Sequence, residues 1–107
     1  MIRAALTPAE HALGFAGRRS LAPDEVLVFV MPGPTMAAFW NRATYVPLDL
    51  AFLSADGTVL ETREVRSLEE TGGQIEHYSP ARPYALAIEA PRGWLERCGI
   101  RVGRQIV

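Results

Sequence analysis

The stretch from Phe39 to Leu53 constrains the fold more than any other part of the chain, because it sets polar side chains within the most apolar region. Pro47 removes one backbone donor and holds the residue before it in an extended conformation. The following segment, LDLAFL, predicts a strand over Leu48–Leu53. Side-chain alternation points Asp49 away from its flanking leucines, toward the other face of that strand. A carboxylate on an apolar face needs a partner, because an unpaired buried charge is costly or takes up a proton.

Composition indicates one ordinary globular domain. The 107 residues are 49% hydrophobic and 21% charged, so we expect a single domain spanning residues 1–107 around one core. The basic residues are all arginines and the formal charge is −1. Because the arginines are scattered, the chain lacks the basic stripe that binds a phosphate backbone, and we expect no nucleic-acid partner. Transcription-factor activity is the least favoured function, since no helix-turn-helix pattern accompanies this charge.

Cellular location is an expectation from cysteine usage and hydropathy. The single cysteine, Cys98, excludes an internal disulfide and suits a reducing compartment. The first residues run directly into a helix-start signal, and no apolar run approaches the ~20 residues that a membrane span requires. We therefore expect a cytoplasmic protein without a membrane partner.

The first third of the chain predicts a strand, a helix and a second strand. Ile2–Leu6 is typical of a short edge strand. Thr7 to Glu10 reads TPAE, a capping box with proline at the first helical position, and the helix should end at Gly14. Val26–Val30 is apolar without alternation, which favours a strand buried on both faces. The sequence MPGP over 31–34 is expected to end that strand.

The rest of the chain predicts a hairpin, an alternating strand and a second short helix. The Asp56-Gly57 turn should pair 48–53 with 58–65 as an antiparallel hairpin. In 84–90 the alternation assigns Tyr84, Leu86 and Ile88 to the core face and Glu89 to the opposite face. A helix should run from Pro91 through Cys98, followed by two short strands in 100–107 around Gly103. The fold class is therefore α+β, rich in β structure, with two short helices.

Several segments in this order resemble a known family. They are GFAGRRSL, VLVFV, FWNRATYVPLDLAFLSADGTV and YSPARPYALAIEAPRGWLERCGIRVG. Together they resemble the small bacterial and archaeal family catalogued as domain of unknown function 192, over nearly the whole chain. The most specific element is Phe39-Trp40 followed by Pro47-Leu48-Asp49. The resemblance implies a compact, barrel-like antiparallel or mixed sheet with short helices, and no named reaction.

The chain departs from the family pattern within the central stretch. Asn41 stands where the family usually has Met, Arg42 where it has Lys, Ala43 where it has Asn, and Arg104 where it has Asp. Losing the amide at position 43 removes two donors and one acceptor, while Arg42 keeps the charge with a different hydrogen-bond geometry. If the family site binds a ligand, this member binds it differently or has moved the amide to Asn41.

Each candidate binding residue has a structural alternative. Asp49 could bind a ligand or act as an acid or base, but a buried Asp more often accepts backbone N–H bonds or pairs with an arginine, and we favour that structural interpretation, with Arg18 and Arg42 as the expected partners. Trp40 could stack on a ring, although a Trp beside Phe is usually a core residue. Thr44 could simply cap a turn. The candidate ligand-binding residues are Arg18, Trp40, Asn41, Arg42, Thr44 and Asp49.

Metal and cofactor chemistry have little support. His11, His77 and Cys98 share no ligand spacing, so we expect no metal site. No glycine-rich phosphate loop, nucleophile elbow or His-Glu-x-x-His motif occurs, and we expect no cofactor.

Three functions remain open. The first is a binding module for a small molecule or peptide, with its site around Phe39–Leu53. The second is an enzyme that uses Asp49 as general acid or base, which ranks lower because no second titrating group is evident. The third is a partner-binding or self-associating domain that uses the edge strand Ile2–Leu6 or the last strand. The sequence does not indicate an oligomeric state.

Overall fold

The computed structural model describes residues 2–106, which form a five-stranded mixed sheet, a separate two-stranded sheet and two short helices. In chain order the elements are β1 (Ile2–Ala5), α1 (Pro8–Leu13), β2 (Val26–Thr35), β3 (Phe39–Trp40), β4 (Leu48–Leu53), β5 (Val59–Val65), β6 (His77–Tyr78), β7 (Tyr84–Pro91) and α2 (Trp94–Arg97). The α+β class predicted from the sequence is confirmed. Neither helix, of six and four residues, has the length needed to cross a lipid bilayer.

The large sheet is open. Its strand order is β1-β2-β7-β4-β5, with β1 parallel to β2 and the other pairs antiparallel, while β3 pairs with β6 in the second sheet. Because β1 and β5 are edges and do not pair with each other, the barrel-like closure implied by the family resemblance is wrong. The mixed, mostly antiparallel pairing is as expected.

The parallel pairing of β1 and β2 requires a crossover, which residues 6–25 supply. The helix α1 lies in this crossover and begins with the predicted capping box: Oγ1 of Thr7 accepts from the N–H of Glu10, and Oε1 of Glu10 accepts from the N–H of Thr7. The helix ends before Gly14, as predicted. After the helix the chain turns inward and buries Phe15 in the core.

The β4–β5 hairpin forms as predicted, with Leu48 paired to Val65 and Leu50 to Arg63. Gly57 adopts a φ of 85°, which the tight turn requires and glycine tolerates. All six residues of β4 are buried, and alternate ones belong to different apolar clusters. Asp49 therefore lies on the opposite face from its flanking leucines, as the alternation predicted.

Both faces of the central strand β7 are also buried. Tyr84 and Ala87 belong to one cluster, and Ile88 and Ala90 to the other. The prediction that Tyr84, Leu86 and Ile88 form a single core face is wrong. Tyr84 packs in the cluster of Ala87, whereas Leu86 packs with Ile88 in the other cluster, and the crossover covers the face of Glu89. Glu89, assigned to the outer face, is 6% exposed.

Three boundaries differ from prediction. The helix predicted from Pro91 through Cys98 is shorter, because β7 continues to Pro91 and α2 covers Trp94–Arg97. β2 continues through Pro32 and Pro34 to Thr35, whereas the sequence predicted an end near Met31. No residue between Val30 and Thr35 pairs with β7. The missing N–H groups of Pro32 and Pro34 therefore leave no acceptor of β7 without a hydrogen bond. The predicted strands in 100–107 are reduced to a bridge between Gln105 and Thr58, and Val107 lies outside the described residues.

Candidate functional site

An apolar cavity of about 360 Å³ lies between the crossover and one face of the large sheet. We call it the Glu89 cavity. Its apolar lining includes Phe29, Met31, Phe39, Trp40, Leu48 and Tyr84, and its polar lining consists of His11, Arg42, Thr44 and Glu89. The volume falls within the roughly 300–1,000 Å³ typical of small-molecule sites, and the predominance of apolar side chains is also typical.

Packed aromatic rings form one wall of the cavity. The ring of Phe39 meets that of Phe29 edge to face, with centroids 5.1 Å apart, and that of Phe52 at 5.8 Å. Tyr84 continues the cluster, with its ring centroid 4.6 Å from that of Phe52. The Tyr84 hydroxyl donates to the carbonyl oxygen of Ala37 at 2.7 Å, and burial raises the pKa of Tyr84 to about 12. The wall is therefore rigid, and its one hydroxyl stays protonated.

Glu89 provides the carboxyl group on the buried side of the cavity. In the sheet it pairs with Leu27 on β2 and with Leu50 on β4, so its side chain leaves the sheet between two buried leucines. Its Oε1 accepts the backbone N–H of Phe15 at 3.2 Å. Within residues 2–106 this is its only hydrogen bond, and no cationic side chain pairs with it. Burial raises the pKa of Glu89 to about 7.

The approach of the crossover to Glu89 depends on glycine. Gly14 has φ 49° and ψ −132°, a conformation that other residues rarely adopt. A Cβ at this position would lie 2.8 Å from Oε1 of Glu89 and 3.3 Å from Cζ of Phe29. The missing side chain therefore allows the next residue, Phe15, to present its N–H to the carboxyl group.

The exposed rim of the cavity carries a cation against an indole ring. Trp40 is 46% exposed, and the Arg42 guanidinium carbon lies 5.4 Å from the centroid of its ring. The ring of His77 lies on Trp40 as well, with centroids 5.7 Å apart. On the other side, Nε2 of His11 is 2.8 Å from the carbonyl oxygen of Ala5, which fixes that ring in the crossover. The rim is thus amphipathic, whereas the interior is apolar.

The structure brings together Trp40, Arg42 and Thr44 around this cavity. Arg18 lies elsewhere and forms a double hydrogen bond with Glu25, at 2.6 and 3.0 Å. The expectation that Arg18 or Arg42 pairs with Asp49 is therefore wrong. Arg18 instead pairs with the partly exposed carboxylate of Glu25, which is seven residues away in the chain.

Asn41 is fully buried, and its amide is committed to the backbone of the 68–76 loop. Its Nδ2 donates to the carbonyl oxygen of Gln74 at 3.2 Å, and its Oδ1 accepts the N–H of Glu76 at 2.7 Å. The backbone of Thr44 continues this attachment, because its carbonyl oxygen accepts the N–H of Leu68 at 2.9 Å. The central stretch therefore anchors this loop through groups that the sequence marked as ligand candidates.

Asp49 caps a helix across the fold. Its Oδ2 accepts the N–H groups of Gly93 and Leu95, both at 3.0 Å, at the start of α2. Gly93 has no side chain to cap that helix, so the carboxylate from β4 fills the role. Asp49 is 7% exposed and does not line the Glu89 cavity. Of the two structural roles expected for Asp49, the geometry shows the acceptance of backbone N–H groups and not the pairing with an arginine.

A second depression of about 530 Å³ lies beside Asp49 and α2. Two arginines that line it are already paired: Arg92 with Glu70 at 2.9 Å, and Arg63 with Glu61 at 2.6 Å.

The described residues contain no group of three or more His, Cys, Asp or Glu side chains placed to hold a metal ion. The Glu89 cavity is therefore the stronger candidate site.

Glu89 is the site residue that the sequence prediction missed. It is the one charged residue in the strand YALAIEAP, where apolar side chains otherwise fill both faces. That imbalance resembles the signal that singled out Asp49 in β4. The strict alternation of large and small side chains instead assigned Glu89 to a solvent-facing side.

Comparison with known proteins places the chain in a family. The family model DUF192, described as "Uncharacterized ACR", matches residues 1–107. No curated protein matches the chain.

Two solved structures are similar to it. One is a protein of unknown function from Novosphingobium aromaticivorans, with 31% identity and a TM-score of 0.82, covering 95% of this chain and 70% of the other. The second is a proposed transcription regulator from Sinorhizobium meliloti, with 26% identity and a TM-score of 0.83, covering 95% of this chain and 76% of the other. The chain belongs to the DUF192 family of uncharacterised proteins.

Proposed function

We propose that the protein is a binding module for a small, partly apolar molecule, and that the Glu89 cavity is its binding site. The observation that carries the proposal is a cavity of about 360 Å³ whose aromatic lining surrounds a single buried carboxyl group. Small-molecule sites combine a large apolar surface with few convergent polar groups, because the apolar part supplies affinity and the polar groups supply orientation.

The rim supports the same function. Trp40 and Arg42 line the cavity and are exposed, so an occupant can contact them without a change in the sheet. The interior is already organised by ring packing and by the hydrogen bond from Tyr84 to Ala37. A preformed site loses less conformational entropy on binding than one that must be assembled.

Binding of nucleic acid is less well supported. The description of the Sinorhizobium meliloti protein as a transcription regulator belongs to that protein. In this chain the formal charge is −1, and the described helices have six and four residues. A recognition helix that enters the major groove is longer and carries a basic surface.

An enzyme that uses Asp49 as acid or base is also less well supported. Its Oδ2 already accepts two backbone N–H groups at the start of α2. A carboxylate held in this way stabilises a helix, and its chemistry toward a ligand is restricted.

The test is a fragment screen read by amide chemical shifts of the isotopically labelled protein. Fragments that bind should shift the amides of Phe15, Phe39 and Trp40 in one saturable process. Ala38→Trp should weaken binding by filling the rim of the cavity, which Ala38 lines. Ala55→Trp is the matched control, since Ala55 is exposed in the β4–β5 turn. Shifts confined to other surfaces, or binding that Ala38→Trp leaves unchanged, would contradict the proposal.

A further inference from the structure

We propose that the ligand of the Glu89 cavity is an amine, with its ammonium group against the Glu89 carboxylate and its apolar body against the aromatic wall. This inference rests on the proposed function and specifies the chemical class of the ligand. It starts from the surroundings of Glu89, where a buried carboxyl group has fewer partners than its two oxygens can accept.

The protein supplies Glu89 with one neutral donor and no counter-charge. Oε1 accepts the N–H of Phe15 at 3.2 Å, and within residues 2–106 no donor reaches Oε2. Glu89 lines the cavity, so an occupant can reach this side chain. An ionised carboxylate in apolar surroundings is strongly disfavoured without a paired charge. An ammonium group offers both the missing charge and three donors.

The other charged and titratable groups of the cavity do not fill this place. From the crossover, His11 directs Nε2 to the carbonyl oxygen of Ala5. From the loop after β3, the Arg42 guanidinium lies against the exposed ring of Trp40. From β7 itself, the Tyr84 hydroxyl donates to Ala37. None of these side chains pairs with the Glu89 carboxyl group, so a ligand in the cavity can do so.

The walls favour a cation as well. The rings of Phe29, Phe39 and Tyr84 line the same cavity as Glu89, and the faces of aromatic rings attract cations. A ligand carboxylate in the same position would be repelled by Glu89. A neutral hydroxyl could donate to Oε2 but would leave the charge unpaired.

Binding of an amine should depend on pH. Burial raises the pKa of Glu89 to about 7, so below that pH the carboxyl group is mostly protonated and uncharged. An alkylammonium stays protonated up to about pH 9. Affinity should therefore increase as pH rises from about 5.5 to 8 and then level off, because amine binding must displace the proton from Glu89 at the lower pH.

Three probes of matched size test the inference: 2-phenylethylamine, 2-phenylethanol and phenylacetate. Each is titrated into the native protein at pH 8 and pH 5.5, with binding read by the amide chemical shifts of Phe39 and Trp40. At pH 8 the amine should bind about tenfold more tightly than the alcohol. Glu89→Gln should remove that preference and its pH dependence while retaining 2-phenylethanol. The pH dependence of the native protein provides a second test that needs no folded variant.

The outcomes separate the inference from the function on which it rests. If the alcohol binds as tightly as the amine, and Ala38→Trp prevents both, the cavity is a site but the amine class is wrong. If phenylacetate binds most tightly and Arg42→Gln removes it, the site takes anions at its rim, and the inference is again wrong. If none of the probes binds at millimolar concentration although other fragments shift the cavity amides, the amine class is wrong and the proposed function stands. If the whole fragment screen also leaves those amides unshifted, the proposed function is overturned as well.

Discussion

Oε1 of Glu89 lies 2.8 Å from the point that a Cβ at position 14 would occupy. Heavy atoms that are not bonded rarely approach so closely, so the buried carboxyl group and the glycine at the end of α1 are mutually dependent. The position of one restricts the residue type of the other. Substitutions at Gly14 and Glu89 therefore test whether the crossover packs directly against this carboxyl group.

Gly14→Ala should destabilise the protein by about 2–3 kcal/mol, because it adds both a steric conflict and an unfavourable positive φ. Gly17→Ala is the matched control, since Gly17 also has a positive φ of 82° but no atom within 4 Å of the added Cβ. It should cost about 1 kcal/mol. In a Glu89→Ala background the cost of Gly14→Ala should fall toward that of the control, as urea denaturation of the four variants would measure. Equal costs in both backgrounds would contradict the contact.

Glu89→Gln should stabilise the protein at high pH and have little effect at low pH. The pKa of Glu89 is raised from 4.5 to about 7 in the folded state, so folding favours the protonated form. Its contribution to stability is fully present below about pH 4.5 and is lost as pH rises through about 7. Above pH 8 the gain in Glu89→Gln should approach about 3 kcal/mol, the difference that this shift represents.

The measurement for Glu89→Gln is the free energy of unfolding in urea at several pH values between 4 and 9. Glu64→Gln, which removes an exposed carboxyl group from β5, serves as control and should change stability by less than about 0.5 kcal/mol throughout. A Glu89→Gln variant that is less stable than the native protein at pH 8.5 would show that the carboxylate has a partner in the folded protein.

Asp49→Ala should destabilise the protein by about 2 kcal/mol, because the N–H groups of Gly93 and Leu95 lose their acceptor. Asp49→Asn keeps one acceptor oxygen and should lose about half as much. Neither variant should alter binding in the Glu89 cavity, which Asp49 does not line. Thermal unfolding and a probe titration on the same samples separate the two effects, and weakened binding in a folded Asp49→Asn variant would return Asp49 to the site.

Asn41→Ala should cost about 2 kcal/mol, since it leaves the part-buried N–H of Glu76 and the carbonyl oxygen of Gln74 without their partner from the buried amide. The effect should concentrate in the 68–76 loop, whose amides should exchange with solvent faster than those of β4. Hydrogen exchange followed residue by residue provides the measurement. Uniformly increased exchange across β4 and the loop would mean that Asn41 stabilises the whole sheet and not the loop in particular.

The sequence predicted most of the local structure, because that structure depends on neighbouring residues. The capping box at Thr7 and the turn at Asp56-Gly57 are determined by backbone geometry within a few residues. The continuation of β2 past Pro32 was missed because it depends on which positions lack a ladder partner. No pattern within one strand contains that information.

The candidate site was predicted only in part for the same reason. Trp40, Arg42 and Thr44 were recognised because polar and aromatic residues interrupt an apolar segment. Glu89 was missed because its burial depends on the crossover, whose Phe15 lies 74 residues earlier in the chain. Asp49 was recognised as needing a partner, but that partner is a pair of backbone amides distant in sequence.

The parallel pairing of β1 with β2 has a thermodynamic consequence. It forces the chain over the face of the sheet, and that passage brings the N–H of Phe15 to Glu89 and removes the carboxyl group from water. Packing of the N-terminal segment against the sheet and protonation of Glu89 are therefore coupled equilibria. A proton on Glu89 stabilises this packing, and ionisation destabilises it by the same free energy. In the same way, an ammonium group bound to Glu89, as proposed above, would offset the charge of the carboxylate and so favour the packing of residues 2–15 against the sheet when Glu89 is ionised.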